Sequence, residues 1–470
     1  MSLEQEAVSR RRNATPEAII GGGDGIDVLP DEILQHVLSF LPVPEAVQTC
    51  VLARRWQHLW KSMPVLRVTG EGWILNRRGV RKLNKFVNHL LLLRDRTAPL
   101  HTCEVELGTF RSQDDPQINL WIRHALLCQA QVLSVHLSRD NNSFDLEDLP
   151  LVSRHLTRLE LCNVMLNGNI LNFSRCPALE ELWMRDCYIA LDVILSQSVK
   201  RLTILDCMFY QNARTRISIP SLVTLEFTEC WGRTPFLESM PSLVTGSVKL
   251  TNCDDCCGKE AGSSCFNVSN TCENCGANND GNGDCVLLNG LSEAKSLELI
   301  AKPGVFIFRR DLMRCPTFSK LKTLLLNEWC MKTNLSALIC LLQHTPVLDK
   351  LTIQLCEAIN SQMVTKESYN PIELPFATKK LKVMEIKCET IDEKVHKILA
   401  VLDTYGIHIG QINIHRSIGS SEDFFSGIGS WTSSTLESEQ ALPHISGAGP
   451  PQPRSQSKLP LTERSASEHD

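Results

Sequence analysis

The sequence predicts an α+β protein: a small three-helix unit near the N-terminal end, an α/β solenoid of repeated strands, and a disordered C-terminal tail. Three observations carry that expectation. The stretch Ile26 to Trp60, IDVLPDEILQHVLSFLPVPEAVQTCVLARRWQHLW, holds apolar residues at helical spacing in three short runs. Further on, short apolar segments recur at intervals of 20 to 27 residues, several of them with a cysteine at a set offset. After Ser417 the chain turns rich in Ser, Gly and Pro, a composition that buries too little to fold.

Leu29-Pro30-Asp31-Glu32 opens the first helix. Proline gives up an N–H that would be unpaired there anyway, and the acids suit the positive end of the helix dipole. Ile33, Leu34, Val37, Leu38 and Leu41 then share one stripe until Pro42 and Pro44 stop the run. Ala46, Val47, Cys50 and Val51 belong to the second helix, and Trp56, Leu59 and Trp60 to one side of the third. A unit below about 40 residues rarely stabilises itself. Part of this apolar surface is therefore expected to face the rest of the chain or a partner.

Between Val65 and Leu120 the signals weaken to an amphipathic helix over Val80–Leu93 and an alternating strand over His101–Leu107. Then comes the template L-x-x-L-x-L-x-x-C/N of a leucine-rich repeat, whose strand turns its leucines inward. Leu179…Leu182…Met184…Cys187 fits it, as do Val199…Leu202…Ile204…Cys207 and Leu222…Leu225…Phe227…Cys230. With the second apolar slot as marker, Leu182, Leu202, Leu225 and Val248 follow one another, and later Leu297, Leu324 and Leu351. Outward side chains beside these strands, such as Glu160, Trp183, Arg185 and Glu226, are the expected binding face.

Residues 252–289 break the rhythm with seven cysteines and many Asn, Gly and Asp. Cys253, Cys256, Cys272 and Cys275 have four-thiolate zinc spacing. Val248…Leu250…Cys253 also fits the repeat template, and the spacer offers little with which to build a zinc-ribbon core. The expectation is a polar loop without metal, zinc on those four thiols being the alternative. Beyond it, Leu381–Ile386 reads as a strand and Thr390-Ile-Asp-Glu393 as a capping box. Ile391, Val395, Ile398, Leu399 and Leu402 line a helix face ending near Gly406, and Gln411–His415 is a last strand.

The pattern LPDEIL…VLSFLPVPEAVQTCVLARRWQHLW resembles an F-box, and with the repeats it resembles the plant F-box/leucine-rich-repeat proteins. LKVMEIKCETIDEKVHKIL…YGIHIGQINIHR is similar to the FBD region that closes many of them. After a disordered leader over 1–24, the resemblance, which covers residues 26 to about 416, implies an F-box over 25–66, a linker with first solenoid elements over 67–128, repeats over 129–375 and an FBD-like region over 376–416. The disordered tail over 417–470 departs from it, being longer than that family's usual ending. The resemblance further implies the substrate receptor of a cullin–RING (SCF-type) ubiquitin ligase, docking a Skp-family adaptor and presenting the repeats to a protein client. Leu29, Pro30, Ile33, Leu34, Val37, Leu38, Leu41 and Pro42 would make the leading adaptor contacts, with Val51, Leu52, Trp56, Leu59 and Trp60 completing core and interface.

Composition narrows the alternatives. A net charge of −5 gives no reason to expect nucleic acid, and no apolar run nears the roughly 18 residues of a membrane span. The first residues lack a secretory h-region, so the twenty cysteines are read as reduced thiols in cytoplasm or nucleus. Arg10-Arg11-Arg12 reads as a solvated charge cluster. No P-loop, G-x-S-x-G elbow or H-E-x-x-H occurs, so no catalysis and no cofactor are expected. The rival classes are a repeat scaffold without a ligase role and a zinc-dependent interaction module.

Overall fold

A computed structural model describes residues 26, 29–70, 77–108, 110, 117–138, 144–146, 150–210, 214–251, 285–302, 305, 307–355, 380–388, 391, 393–404, 408–417 and 431–434. Arg10–Arg12, Cys253, Cys256, Cys272, Cys275, Thr390, Gly406 and most of the predicted tail lie outside these residues.

Helices α1 (Asp31–Leu38) and α2 (Val43–Gln48) each follow a proline that stands outside the helix in extended conformation. The second helix stops at Gln48, so Cys50 and Val51 lie in a 3-10 turn (Thr49–Val51), and the expected third helix is instead two 3-10 turns at Arg54–Gln57 and Leu59–Ser62. The tighter turn has a reason: a 3-10 path brings residues three apart onto one side, and Trp56 and Leu59 both need to reach the core. Leu34, Leu38, Val43, Ala46, Trp56, Leu59, Trp60 and Met63 are the buried set.

Strand β1 (Val65–Thr69), α3 (Arg77–Leu93), β2 (Thr102–Leu107), α4 (Ile118–Leu127) and β3 (Val132–Leu137) follow. A sheet thus begins at Val65, upstream of the first legible repeat. β1 and β2 alternate in burial as strands do, but their slots hold Val and Cys besides Leu, so the leucine template passes over them. Next come β4 (Phe144–Leu146), β5 (Arg158–Cys162), β6 (Val164–Asn167), β7 (Glu181–Arg185), β8 (Tyr188–Ala190) and β9 (Val193–Leu195). The middle repeats add β10 (Arg201–Leu205), β11 (Met208–Phe209), β12 (Arg216–Ser218), β13 (Thr224–Thr228), β14 (Trp231–Gly232), β15 (Phe236–Leu237) and β16 (Thr245–Leu250). β17 (Ser296–Ala301), α5 (Ile307–Leu312), β18 (Thr323–Asn327), α6 (Lys332–Gln343) and β19 (Lys350–Gln354) lead to β20 (Lys380–Cys388), α7 (Glu393–Thr404), β21 (His408–Ser417) and β22 (Trp431–Ser434).

One strand from each repeat joins a 14-stranded sheet ordered β1-β2-β3-β5-β7-β10-β13-β16-β17-β18-β19-β20-β21-β22, parallel throughout except for β21 against β22. Chain order and sheet order coincide, as a solenoid requires. Two narrower parallel sheets, β14-β11-β8-β6-β4 and β15-β12-β9, close the middle coils. The physical cause is length: a repeat of 20 to 23 residues has room for short strands on its return, whereas a helical crossover asks for more chain. Helices appear where repeats are longer, as with α5 and α6. Within the stretch expected as tail, β22 pairs with β21. In α7, Val395, Ile398 and Leu402 are buried as expected, but Ile391 lies before the helix and is exposed.

The repeats are locked by inward leucines and by a ladder of turns. Leu159, Leu182, Leu202 and Leu225 stack in register and are buried. Immediately after their strands, Asn163, Asp186, Asp206 and Glu229 take positive φ of 52–56°. Each N–H of these four reaches a carbonyl of the next coil, Arg185, Leu205, Thr228 and Lys249, at 2.9–3.1 Å. Asn and Asp tolerate the left-handed turn best, which explains three of the four residue types. Cys187, Cys207 and Cys230 come next and are buried, each thiol on a nearby carbonyl at 3.2–3.8 Å.

One repeat marker needs correction. Leu225 pairs with Gly246, and Val248 with Phe227, so Gly246 holds the second apolar slot and the closing position of this repeat falls on Thr251 and not on Cys253. The glycine is invisible to a leucine template because its space is taken by others: a Cβ there would stand 2.8 Å from Leu297 Cδ2 and 3.4 Å from Leu291 Cδ2. Gly246→Val is expected to cost about 1–3 kcal/mol by overpacking, and Gly246→Ala less. Denaturant unfolding at constant m-value checks this; a neutral valine would mean that the slot is open.

Candidate docking surfaces

The predicted adaptor residues divide cleanly between core and surface. Leu34, Leu38, Trp56, Leu59 and Trp60 are buried, and Leu41 and Pro42 half-buried. Leu29, Pro30, Ile33, Val37, Val51 and Leu52 are exposed, Val51 at 83% and Leu52 at 70%. Sequence reasoning missed Phe40, which is 66% exposed in the turn just past α1, seven residues after Ile33. Its spacing from Ile33 and Val37 was the available signal. So many large apolar side chains held at the surface of one small unit mark an interaction site.

Arg55 ties this surface together. Its guanidinium donates to Asp31 at 2.9 Å and to the Leu29 carbonyl at 2.6 Å, clamping the start of α1 to the turns that carry Val51 and Leu52. The unit is also fixed to the solenoid. Arg67 of β1 bonds the Ser39 carbonyl and pairs with Glu104 at 2.7 Å. Arg94 is buried and donates to the Met63, Ala98 and Pro99 carbonyls at 2.7, 3.3 and 3.2 Å. Burial pushes its guanidinium below the ordinary arginine range.

The outward face of the large sheet carries one continuous row. Arg67, Glu104, Ser134, Glu160, Trp183, Thr203, Glu226, Ser247, Glu298, Leu325, Thr352, Glu385 and Asn413 are successive register partners. Most of its carboxylates are engaged within the chain. Glu160 pairs with Arg158 and accepts from Ser134 at 3.1 Å. Glu298 accepts from Ser247 at 2.7 Å and lies 3.4 Å from Lys249. Trp183 is half-buried beside His136, with ring centroids 5.9 Å apart. Arg185 is exposed and 3.8 Å from Asp206. Glu226 is exposed with no ion pair recorded among the described residues. Of the four residues expected to face a client, Arg185 and Glu226 are thus the more available.

Glu385 shows how the row is tuned. Burial works against its charge, but Lys350 Nζ at 2.6 Å and the Thr352 hydroxyl at 3.2 Å outweigh that and hold the carboxyl below its usual value. A depressed carboxylate contributes stability above its unfolded pKa and loses it as pH falls through the folded one. Lys350→Met is expected to raise the Glu385 midpoint, read from its side-chain carbon shift. The pair is partly exposed, so the acid-side stability lost should stay below about 1 kcal/mol. An unmoved midpoint would show that the lysine does not set it.

A second exposed set was illegible in the repeat template. Tyr188, Met208 and Trp231 stand in register across β8, β11 and β14 and are 44, 39 and 52% exposed. Tyr and Trp are the side chains most enriched at binding hot spots, and Met packs adaptably. By contrast, the buried thiols of Cys103 and Cys330 are chemically quiet, burial pushing both up to about 12. Among the described residues no helix is long and apolar enough to cross a membrane.

Comparison with known proteins bears on both halves. An F-box domain profile matches residues 26–67. The chain is 28% identical over 261 residues to an F-box/FBD/LRR-repeat protein of Arabidopsis thaliana, covering 48% of this chain and 60% of that one. It is 27% identical over 265 residues to an F-box/LRR-repeat protein of the same plant, covering 49% and 68%. Over 406 residues it is 25% identical to the MEIOTIC F-BOX protein MOF of Oryza sativa subsp. japonica, covering 77% and 80%. Four Arabidopsis relatives are spanned for only 23 to 60% of their length.

Proposed function

We propose, from a chain built as the plant F-box/leucine-rich-repeat proteins are built, that it is the substrate-recognition subunit of an SCF-type cullin–RING ubiquitin ligase. Its F-box docks a Skp-family adaptor and its solenoid holds a protein client. The observation that carries the reading is the split within the F-box. Leu34, Leu38, Trp56, Leu59 and Trp60 make a core, while Leu29, Ile33, Val37, Phe40, Val51 and Leu52 remain at the surface.

The chain itself supplies position and not bond-making chemistry. Arg67 and Arg94 fasten the F-box to the first coils, so a client on the solenoid sits at a set distance from the adaptor. Held there, its lysines meet the charged conjugating enzyme at a high effective concentration. The client face combines the outward row near Arg185 and Glu226 with the Tyr188–Met208–Trp231 stripe.

Co-expression with a Skp-family adaptor, followed by size exclusion, tests this. A stoichiometric complex is expected, and it should assemble further with a cullin–RING core. A soluble, folded chain that captures no adaptor would overturn the reading. Capture without any ubiquitin transfer in the assembled ligase would leave a scaffold in its place.

A further inference from the structure

The repeat that follows the 252–284 segment carries a set of soft donors separate from the insertion's cysteines. Cys340 sits in the last turn of α6, and His344 closes that helix four residues later, which places the two on one face. Cys315, between α5 and β18, comes against that face. One ligand-capable atom from each of Cys315, Cys340 and His344 lies within 4.8 Å of the others. Cys340 is buried, Cys315 and His344 half-buried. The Cys340 sulfur is 4.0 Å from His344 Nδ1.

We propose that Cys315, Cys340 and His344 bind a divalent cation of the zinc class. Two thiolates and one imidazole are the donors that select zinc over the hard cations, which prefer oxygen. Zinc–sulfur bonds of about 2.3 Å and zinc–nitrogen bonds of about 2.0 Å require the three atoms to close around the ion by roughly 1 Å. Side-chain rotation can supply that. Binding releases both thiol protons to solvent, and the two thiolate charges then balance the +2 of the ion.

Orientation supports the same assignment. His344 Nδ1 lies 2.8 Å from the Cys340 carbonyl oxygen, a bond in which Nδ1–H donates, so the ring would offer Nε2 to the ion. Ligating histidines are commonly steadied in this way. Three protein donors leave a fourth position to water or an incoming ligand. The ion would cross-link α6 to the chain before β18, next to the point where the insertion returns. There the Cys285 thiol already bonds the Arg314 carbonyl at 2.8 Å.

The test uses the full chain, purified under reducing conditions, stripped of metal and titrated with Co²⁺ and then Zn²⁺. Expected are one equivalent of tetrahedral Co²⁺ with a thiolate charge-transfer band, bleached by zinc, and a raised melting temperature. Because loss of an outer-shell partner typically costs 10–100-fold in metal affinity, loss of a direct ligand by Cys315→Ser or Cys340→Ser should cost at least about 100-fold. His344→Gln, at a half-buried position, guards against unfolding as the cause and should abolish the zinc-dependent rise in melting temperature. A variant with serine at Cys253, Cys256, Cys272 and Cys275 should keep the band. Absence of a tetrahedral spectrum from the reduced wild type, or loss of the band in that fourfold variant alone, overturns the proposal. Neither result involves an adaptor, so this site stands or falls independently of the ligase reading.

Discussion

Ile33→Asp/Val37→Asp is expected to abolish adaptor capture while the chain stays folded. Both residues lie one turn apart on α1 and are 47% and 39% exposed, so charge there meets water in the unbound chain and costs little stability. Docking removes that water. An unpaired carboxylate in an apolar interface costs several kcal/mol, enough to weaken binding by more than about 100-fold for the pair. Leu34→Ala is the informative contrast, since Leu34 sits between them in sequence but is fully buried. It should destabilise the F-box by about 2–5 kcal/mol and weaken capture only through unfolding. Titration calorimetry beside thermal melts separates the two. An aspartate pair that melts early, or that still binds the adaptor tightly, would show that the exposed face has been misidentified.

The second large effect falls far from the F-box. Asp311 is 1% exposed, and its carboxylate receives the N–H groups of Val286, Leu287 and Leu288 at 2.8, 2.7 and 2.9 Å. Burial raises the Asp311 carboxyl, and these three donors pull the other way. Their own gain is larger, because three consecutive buried amides have no strand partner where the chain comes back from residues 252–284. Asp311→Ala leaves all three unsatisfied and should cost at least about 3 kcal/mol, at roughly 1–3 for each buried orphan group. Asp311→Asn keeps one acceptor oxygen and should fall between. Calorimetry gives the magnitude, and hydrogen exchange at Val286–Leu288 gives the location. Unchanged protection of those amides in the alanine variant would sink this account.

Much of the architecture was written in local pattern. Helical spacing over Ile33–Leu41, the prolines that bound it, and Leu-x-x-Leu followed two residues on by a third apolar side chain at Leu179, Leu222, Leu321 and Leu348 are one-dimensional signals, and each maps onto a single element. The Cys at the end of several repeats was equally plain, because a small buried side chain is wanted beside a turn that repeats. The failures share a cause. Gly246 has no side chain to declare its slot, which is filled by Leu297 from the next described strand, across the insertion. The 3-10 turns after Gln48 and the early start of the sheet at Val65 depend on where Trp56 and Leu59 must point and on which strand lies alongside.

Site residues divide along the same line. Periodicity marks which residues are apolar, and that identified the F-box set as a whole. It does not say which of them a neighbouring element covers, because Leu34 and Ile33 are equivalent until the turns that carry Trp56 and Trp60 fold over one and not the other. Only tertiary packing made Ile33 and Val37 a surface. It alone gathered Cys315, Cys340 and His344, and although Tyr188, Met208 and Trp231 recur at the repeat's own 20 and 23 residues, it alone left all three exposed. Sequence determines which side chains are on offer and the period at which they recur. Burial and proximity are relations between distant segments, and those exist only once the coils have stacked.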